Sequence, residues 1–201
     1  HPVSIITKGA LVTRDIDILA EMAGDGLCSV AVSITTLDDA LKRTLEPRAA
    51  SGRARLAAVE ALSSAGIPVT ALFAPVIPAL NDAELEDILA QAAQAGAGQA
   101  AYILLRLPLE VSQLFQNWLA QHYPLRAQHI MSVLRQCRGG RENDPRFGSR
   151  MSGSGPFADL LRNRFRIACK RLGLDEREQS DLRTDLFQRP GGEFHQGDLF
   201  G

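Results

Sequence analysis

The chain has 201 residues, 45% hydrophobic and 22% charged, with 17 glycines and a formal net charge of -1. This is the composition of a globular chain long enough for one or two domains, and it excludes collagen, a coiled coil and wholesale disorder. No run of about 18 apolar residues is present and His1-Pro2-Val3 opens no signal peptide, so a cytoplasmic protein without a membrane partner is expected.

In chain order, Ser4 to Thr7 reads as a strand, and Arg14 to Ala23 as a helix with Ile16, Leu19 and Ala20 on one face. Ser29 to Ile34 is a nearly continuous apolar run, the pattern of a strand buried on both faces of a parallel sheet. A helix over Arg53 to Ala65 ends at Gly66, and Val69 to Phe73 is the third strand. Ala74 to Leu80 is too rich in proline for a central strand and is read as a loop. Asn81 with Glu84 three residues later resembles a capping box, opening a helix that ends near Gly96. Ala101 to Leu105 is the fourth strand. Each crossover has room for one helix, so the pattern is β-α-β-α with right-handed connections. Two helices follow over 109–122 and 125–137, then a loop from Arg138 to Pro156 with five glycines, then a basic helix from Phe157 to Leu172. Asp175 to Asp185 is read as a possible last helix and Gly191 to Gly201 as a tail.

Parallel α/β folds bind ligands at the carboxyl ends of their strands. Those ends carry Lys8, Ser33, Thr35, the Pro75-Val76-Ile77 run and Arg106. A lysine, hydroxyls, an apolar proline loop and an arginine on one rim suit a ligand with a carboxylate, hydroxyls and a flat ring. Taken singly, each has a plainer reading: a solvated turn lysine, strand-end hydroxyls, a surface ion pair. No catalytic Ser/His/Asp set is identifiable, the four histidines are isolated, and Cys28, Cys137 and Cys169 have no metal-ligand spacing, so no metal site is read from them. They read as reduced thiols.

The residues also carry a resemblance. Ser33-Ile34-Thr35-Thr36-Leu37-Asp38, Leu45-Glu46-Pro47-Arg48-Ala49, Ser51 to Leu56 and Gly66 to Pro78 resemble the middle of radical S-adenosylmethionine enzymes. The group is the one similar to spore photoproduct lyase and described as "DNA repair photolyase". Ile6-Thr7-Lys8 with Arg14 to Asp17 is similar to its third strand and helix, and Arg106-Leu107-Pro108 with Phe115 and Trp118-Leu119 to its sixth strand and following helix. Gly139-Gly140-Arg141, Phe147-Gly148 and Arg150-Met151 extend the likeness.

The resemblance implies an α/β fold, with four βα units of a six-unit partial TIM-type barrel over 1–108, a helical basic extension over 109–190 and a flexible tail over 191–201. It implies S-adenosylmethionine bound by Lys8, Ser33, Thr35, Glu46, Arg55, Pro75, Val76, Ile77 and Arg106. Lys8 would contact the methionyl carboxylate, Arg55 would be a second carboxylate ligand, Glu46 would orient either cation, and the Pro75 loop would lie against adenine. Glu46 and Arg55 also read as a plain surface ion pair. The implied chemistry is reduction of the sulfonium by a 4Fe-4S cluster, served by an electron donor, to a 5′-deoxyadenosyl radical that abstracts hydrogen. The C-x-x-x-C-x-x-C loop and Gly-Gly-Glu-like segment of such enzymes are not in this sequence. With no Met at residue 1, the expectation is the carboxyl-terminal part of a longer bacterial protein, binding no iron and inactive alone.

Charge is unevenly placed: 8 Lys+Arg face 13 Asp+Glu over residues 1–125, 11 face 3 over 126–171, and 3 face 7 over 172–201. The basic block, with Arg138, Arg141, Arg146 and Arg150 around the Gly-rich loop, could track a nucleic-acid backbone or pack against acidic protein. Gln196, Leu199 and Phe200 resemble the short Q-x-[SD]-L-F peptides that dock bacterial repair proteins on the sliding clamp. A non-catalytic nucleic-acid or clamp-binding module is thus the alternative.

Overall fold

A computed structural model describes residues 1–174 and 182–186. Its strands are β1 (Val3–Thr7), β2 (Cys28–Ser33), β3 (Val69–Val76) and β4 (Gln99–Leu104), all parallel and ordered β1-β2-β3-β4. Between β1 and β2 a 3-10 helix, Ala10–Asp15, runs into α1 (Ile16–Gly24). The next crossover holds α2 (Asp39–Leu45) and α3 (Gly52–Ser64), and the last holds α4 (Leu85–Gln94) behind a 3-10 turn, Asp82–Glu84. After β4 come α5 (Glu110–His122), α6 (Ala127–Gln136), the short α7 (Ser149–Ser152) and α8 (Pro156–Leu172). The chain is therefore a parallel α/β fold, as the sequence pattern predicts, with the helical carboxyl-terminal part and partial TIM-barrel arrangement that the resemblance implies.

Sequential strand order means that every crossover steps the same way, and right-handed connections then put all helices on one face. That face is the main core: Val30 and Val32 of β2 and Phe73 of β3 pack with Val59 and Leu62 of α3, Leu85 and Leu89 of α4, and Leu161 and Phe165 of α8. Arg164 of α8 pairs with Glu86 of α4 at 2.6 Å, and the Tyr102 and Phe165 rings lie 4.9 Å apart. The other face is small and polar, with Ser29 Oγ donating to Ser4 Oγ at 3.3 Å, Thr70 Oγ1 to Gln99 Oε1 at 3.1 Å, and Ile6 69% exposed. The β2 run is thus more fully buried on one face than on the other, because among the described residues no helix covers the second.

Three local expectations are corrected. Strand β3 does not stop at Phe73 but continues through Pro75 to Val76, although it lies inside the sheet. Its register against β4 shifts between Phe73 and Val76, and that irregularity accommodates a residue with no N–H to give. Asn81 makes no helix cap; its side chain is turned inward, as described below. The second crossover, expected to hold one helix, holds two: Asp39–Leu45 is also a helix, capped by Asp38, whose carboxylate accepts from Ala40 N at 2.7 Å. Of the stretch read as a last helix, 175–181 lie outside the described residues and 182–186 form no helix.

Helices α5 and α6 build a second, smaller core from Leu107, Phe115, Leu119, Ile130, Met131 and Leu134, which also takes in Ile77 from the loop after β3. Trp118 Nε1 donates to Thr44 O at 3.0 Å, tying α5 to the end of α2. No described helix is long and apolar enough to cross a membrane.

Helix α3 starts under a steric condition. Ser51 caps it, its Oγ accepting from Ala54 N at 3.2 Å, and a Cβ at Gly52 would stand 2.6 Å from Thr36 O. Backbone there cannot yield cheaply, so Gly52→Ala is expected to destabilise the fold by about 1–3 kcal/mol, read as a lower urea midpoint at constant slope. An unchanged midpoint would show that α3 does not approach β2 this closely.

Candidate functional site

The register shift in β3 creates the site. Ala74 is out of the strand ladder, and its carbonyl accepts from Ser33 Oγ at 3.0 Å and Lys8 Nζ at 3.3 Å, with Thr35 Oγ1 2.9 Å away. Lys8 follows β1, Ser33 ends β2 and Thr35 follows it, so three strand ends meet over one carbonyl. This is the rim where an α/β sheet holds ligands.

Glu46, just after α2, closes the cluster. One oxygen accepts from Lys8 Nζ and stands 3.0 Å from Thr35 Oγ1, whose single proton goes either to it or to Ala74 O, and the other accepts from Arg55 Nη2 at 2.5 Å. Arg55 sits in the first turn of α3 and is 2% exposed, Glu46 is 13% exposed and Lys8 is 41% exposed. Burial raises the Glu46 pKa, but the hydrogen bonds and charges of Lys8 and Arg55 outweigh it and leave the carboxyl below the ordinary glutamate value.

Arg55 donates besides from Nε to Ala50 O at 2.9 Å and from Nη1 to Ser33 O at 2.8 Å. Its fork is engaged inside the protein, so the carboxylate it grips is that of Glu46 and not a ligand's. Lys8 is different: its bond to Ala74 O is long, and that carbonyl already has a hydroxyl donor in Ser33. One N–H of Lys8 can turn outward without stranding an acceptor.

Asn81 fixes the loop that follows. It is fully buried, its Oδ1 accepts from Ile77 N at 2.6 Å, and its Nδ2 donates to Thr35 O at 2.8 Å and Pro75 O at 3.0 Å. Pro75, Val76 and Ile77 are therefore held against the strand end that carries Thr35. Glu84 does the same one step further out, accepting from Thr36 Oγ1 and Leu37 N at 2.6 Å each. Asn81 was hidden in the sequence because Asn before a helix reads first as a cap.

Arg106 makes no hydrogen bond or ion pair to Lys8, Glu46 or Arg55, so the structure does not gather it into the cluster. Arg138 differs most from the solvent-facing role expected of the basic block. It is 1% exposed, and its Nη atoms donate to Leu104 O, Leu105 O, Ser149 O and Arg150 O at 2.7, 2.8, 3.3 and 2.7 Å, locking the extension to the end of β4. Arg146 is held by Asp144, and Arg135 by Glu142. Arg141 is exposed, and Arg150 lies over the exposed Phe147 ring, 5.1 Å from its centroid. The local basic charge is thus partly matched within the chain, most visibly where Arg164 meets Glu86 and Asp82. Gln196, Leu199 and Phe200 lie outside the described residues.

The family model described as the radical SAM superfamily matches residues 1–92, which contain the whole Lys8-Glu46-Arg55-Asn81 arrangement. Over this stretch, a little under half of its length, the chain is similar to that superfamily. Two curated relatives are an uncharacterized protein of Mycobacterium tuberculosis, 38% identical over 61% of this chain, and one of Methanocaldococcus jannaschii, 31% identical over 60%. The alignments cover 37% and 44% of those relatives, so this chain spans well under two thirds of their length. Among solved structures, spore photoproduct lyase complexed with dinucleoside spore photoproduct superposes at a TM-score of 0.57 with 18% identity, over 86% of this chain and 49% of that one. A variant of the lyase with bound AdoMet and the dinucleoside gives 0.56 and 17%, with 86% and 49% covered. These structures share the radical SAM partial-barrel fold with the chain.

The cofactors implied by the radical SAM family fit these residues unequally. Among the described residues no three His, Cys, Asp or Glu side chains converge on a metal position, and Cys28, Cys137 and Cys169 are buried on separate elements, so a four-iron cluster has no ligands here. S-adenosylmethionine does find complementary groups: an outward ammonium, a rim of hydroxyls and a fixed apolar loop.

Glu46 also makes the fold acid-sensitive. A carboxyl whose folded pKa is lowered contributes stability that is complete above its unfolded pKa, about 4.3, and is lost as the pH falls through the folded value. Glu46→Gln is expected to cost about 3 kcal/mol at neutral pH, because Arg55 then stays buried and charged without its partner. The cost should shrink as the pH drops below about 4, where wild type loses the same interaction. Urea titrations at several pH values that gave a pH-independent cost would contradict this.

Proposed function

We propose that the chain binds S-adenosylmethionine at the strand-end rim and is the cofactor-holding part of a radical S-adenosylmethionine enzyme of the spore photoproduct lyase kind. The observation that carries the reading is Lys8, an ammonium 41% exposed yet fixed by Glu46 among three converging strand ends, inside the segment that matches the family.

Lys8 would meet the methionyl carboxylate with the N–H it can turn from Ala74 O. Glu46 holds that ammonium in place, while Arg55 holds Glu46 from behind. Ser33 donates to Ala74 O, so its oxygen offers lone pairs to the cofactor's amino or ribose groups, whereas Thr35 Oγ1 already accepts from Lys8 Nζ and Arg55 Nη1 and serves to position them. Pro75, Val76 and Ile77 form the apolar wall for adenine, and Asn81 keeps that wall from moving away. When bound together with a four-iron cluster, the cofactor supplies one-electron chemistry that ends in abstraction of a hydrogen atom from substrate. The chain's own share is binding, orientation and exclusion of water, and the DNA-repair lyase reaction belongs to this proposal through the kinship with spore photoproduct lyase.

A second reading, nucleic acid on the 138–150 loop, is favoured by the exposed Phe147 ring stacked under Arg150, with Arg141 exposed nearby.

Isothermal titration of the chain with S-adenosylmethionine tests the first reading. Saturable binding is expected, weakened at least about tenfold by Lys8→Ala, the loss of one charge-assisted hydrogen bond. No binding up to millimolar concentration, or equal binding by Lys8→Ala, would overturn it.

A further inference from the structure

Among the described residues two arginines are buried, Arg55 and Arg138, and Arg55 has its counter-charge in Glu46. The other lies at the end of β4. Arg138 is buried with its Nη donors on four carbonyls and no carboxylate in contact, and its Nε–H is buried without a partner. Arg106 stands directly after the Leu104 and Leu105 carbonyls that Arg138 holds. It is partly buried, and its Nε–H is likewise buried and unpartnered. The two like charges feel each other: burial, first, and the Arg106 charge both press the Arg138 pKa down.

The Asp144 charge offsets this in part, but the neighbouring carboxylates have their hydrogen bonds elsewhere. Asp144 accepts from Arg146 Nε at 2.9 Å, Arg146 Nη2 at 3.0 Å and Ser149 Oγ at 2.7 Å. Glu142 is taken by Arg135, Ser112 and Gln116. A pair of guanidinium groups with unmet buried donors and no free carboxylate is costly as it stands and is completed by an oxyanion, whose two or three oxygens match such donors.

We propose that Arg106, backed by Arg138, forms a subsite for an oxyanion group of a ligand, a phosphate or a carboxylate, at the end of β4. Arg106 is the contacting residue, since among the described residues its guanidinium makes no hydrogen bond and its Nε–H is buried without a partner. Arg138 is a positioning residue that adds positive field and fixes the backbone around it. The subsite shares no group with the Lys8 cluster. It therefore suits the anionic end of a second molecule lying over the open, polar face of the sheet, and it does not depend on the S-adenosylmethionine reading.

The test is titration of the full chain with inorganic phosphate and with acetate at constant ionic strength held by chloride, read by calorimetry and by arginine Nε–H signals in NMR. Expected is saturable binding with movement of the Arg106 and Arg138 Nε–H signals. Phosphate acting alone assigns a phosphoryl ligand, and acetate acting too assigns a carboxylate. Arg106→Gln is expected to weaken binding at least about tenfold, whereas Arg141→Gln, which removes an exposed charge from the same block, leaves it within about twofold. Should Arg106→Gln not fold, Arg106→Lys keeps the charge without the Nε–H and is expected to weaken binding as well. Failure of both anions to bind, or equal losses in the Arg106 and Arg141 variants, would overturn the proposal.

Discussion

One carboxylate, that of Glu46, is shared between an arginine buried in the first turn of a helix and a lysine at the end of a strand, and the rim takes its form from this sharing. A guanidinium 2% exposed would be strongly unfavourable without a counter-charge, and Glu46 provides it through one oxygen. The other oxygen then fixes Lys8, so the cluster carries one positive charge more than it neutralises, and the excess faces solvent. Because Thr35 touches Lys8, Glu46, Arg55 and Ala74, the three charged groups are registered to the sheet itself. A site built on strand ends in this way is held more exactly in position than one built on loops alone.

The sheet contributes two constraints. Sequential strand order sends every helix to one face, which leaves the opposite face free for ligands. The irregularity at Ala74 and Pro75 then takes a carbonyl out of the ladder just where Ser33, Thr35 and Lys8 can reach it. Asn81 completes the arrangement by satisfying three backbone groups of the turning chain at once. Gly52 permits it from the other side, since only a residue without Cβ lets α3 bring Arg55 under Thr36. The rim is therefore a consequence of backbone geometry as much as of charged side chains.

Much of this could be read from residue order. The four strands and one helix in each crossover follow from apolar periodicity, Lys8, Ser33 and Thr35 were reachable by asking what stands at strand ends, and Glu46 entered only through the family resemblance. What could not be read was the third partner of each polar group. Pro75 forbids a regular ladder but says nothing about a strand that resumes one residue later. Asn81 before a helix has the same local signature whether it caps or folds inward. Arg138, one arginine among many in a basic block, is distinguished only by carbonyls of β4 that lie 33 and 34 residues away. Local pattern reports elements, while burial of a polar side chain is decided by packing between elements distant in sequence.

The shared carboxylate is open to direct observation by following the carboxyl carbon resonance of Glu46 through an acid titration. The account predicts a midpoint below the ordinary glutamate value of about 4.3, moving upward when Arg55 is replaced by Met. A midpoint at or above that value in the wild-type chain, or one indifferent to Arg55, would contradict it, because Glu46 would then hold neither cation.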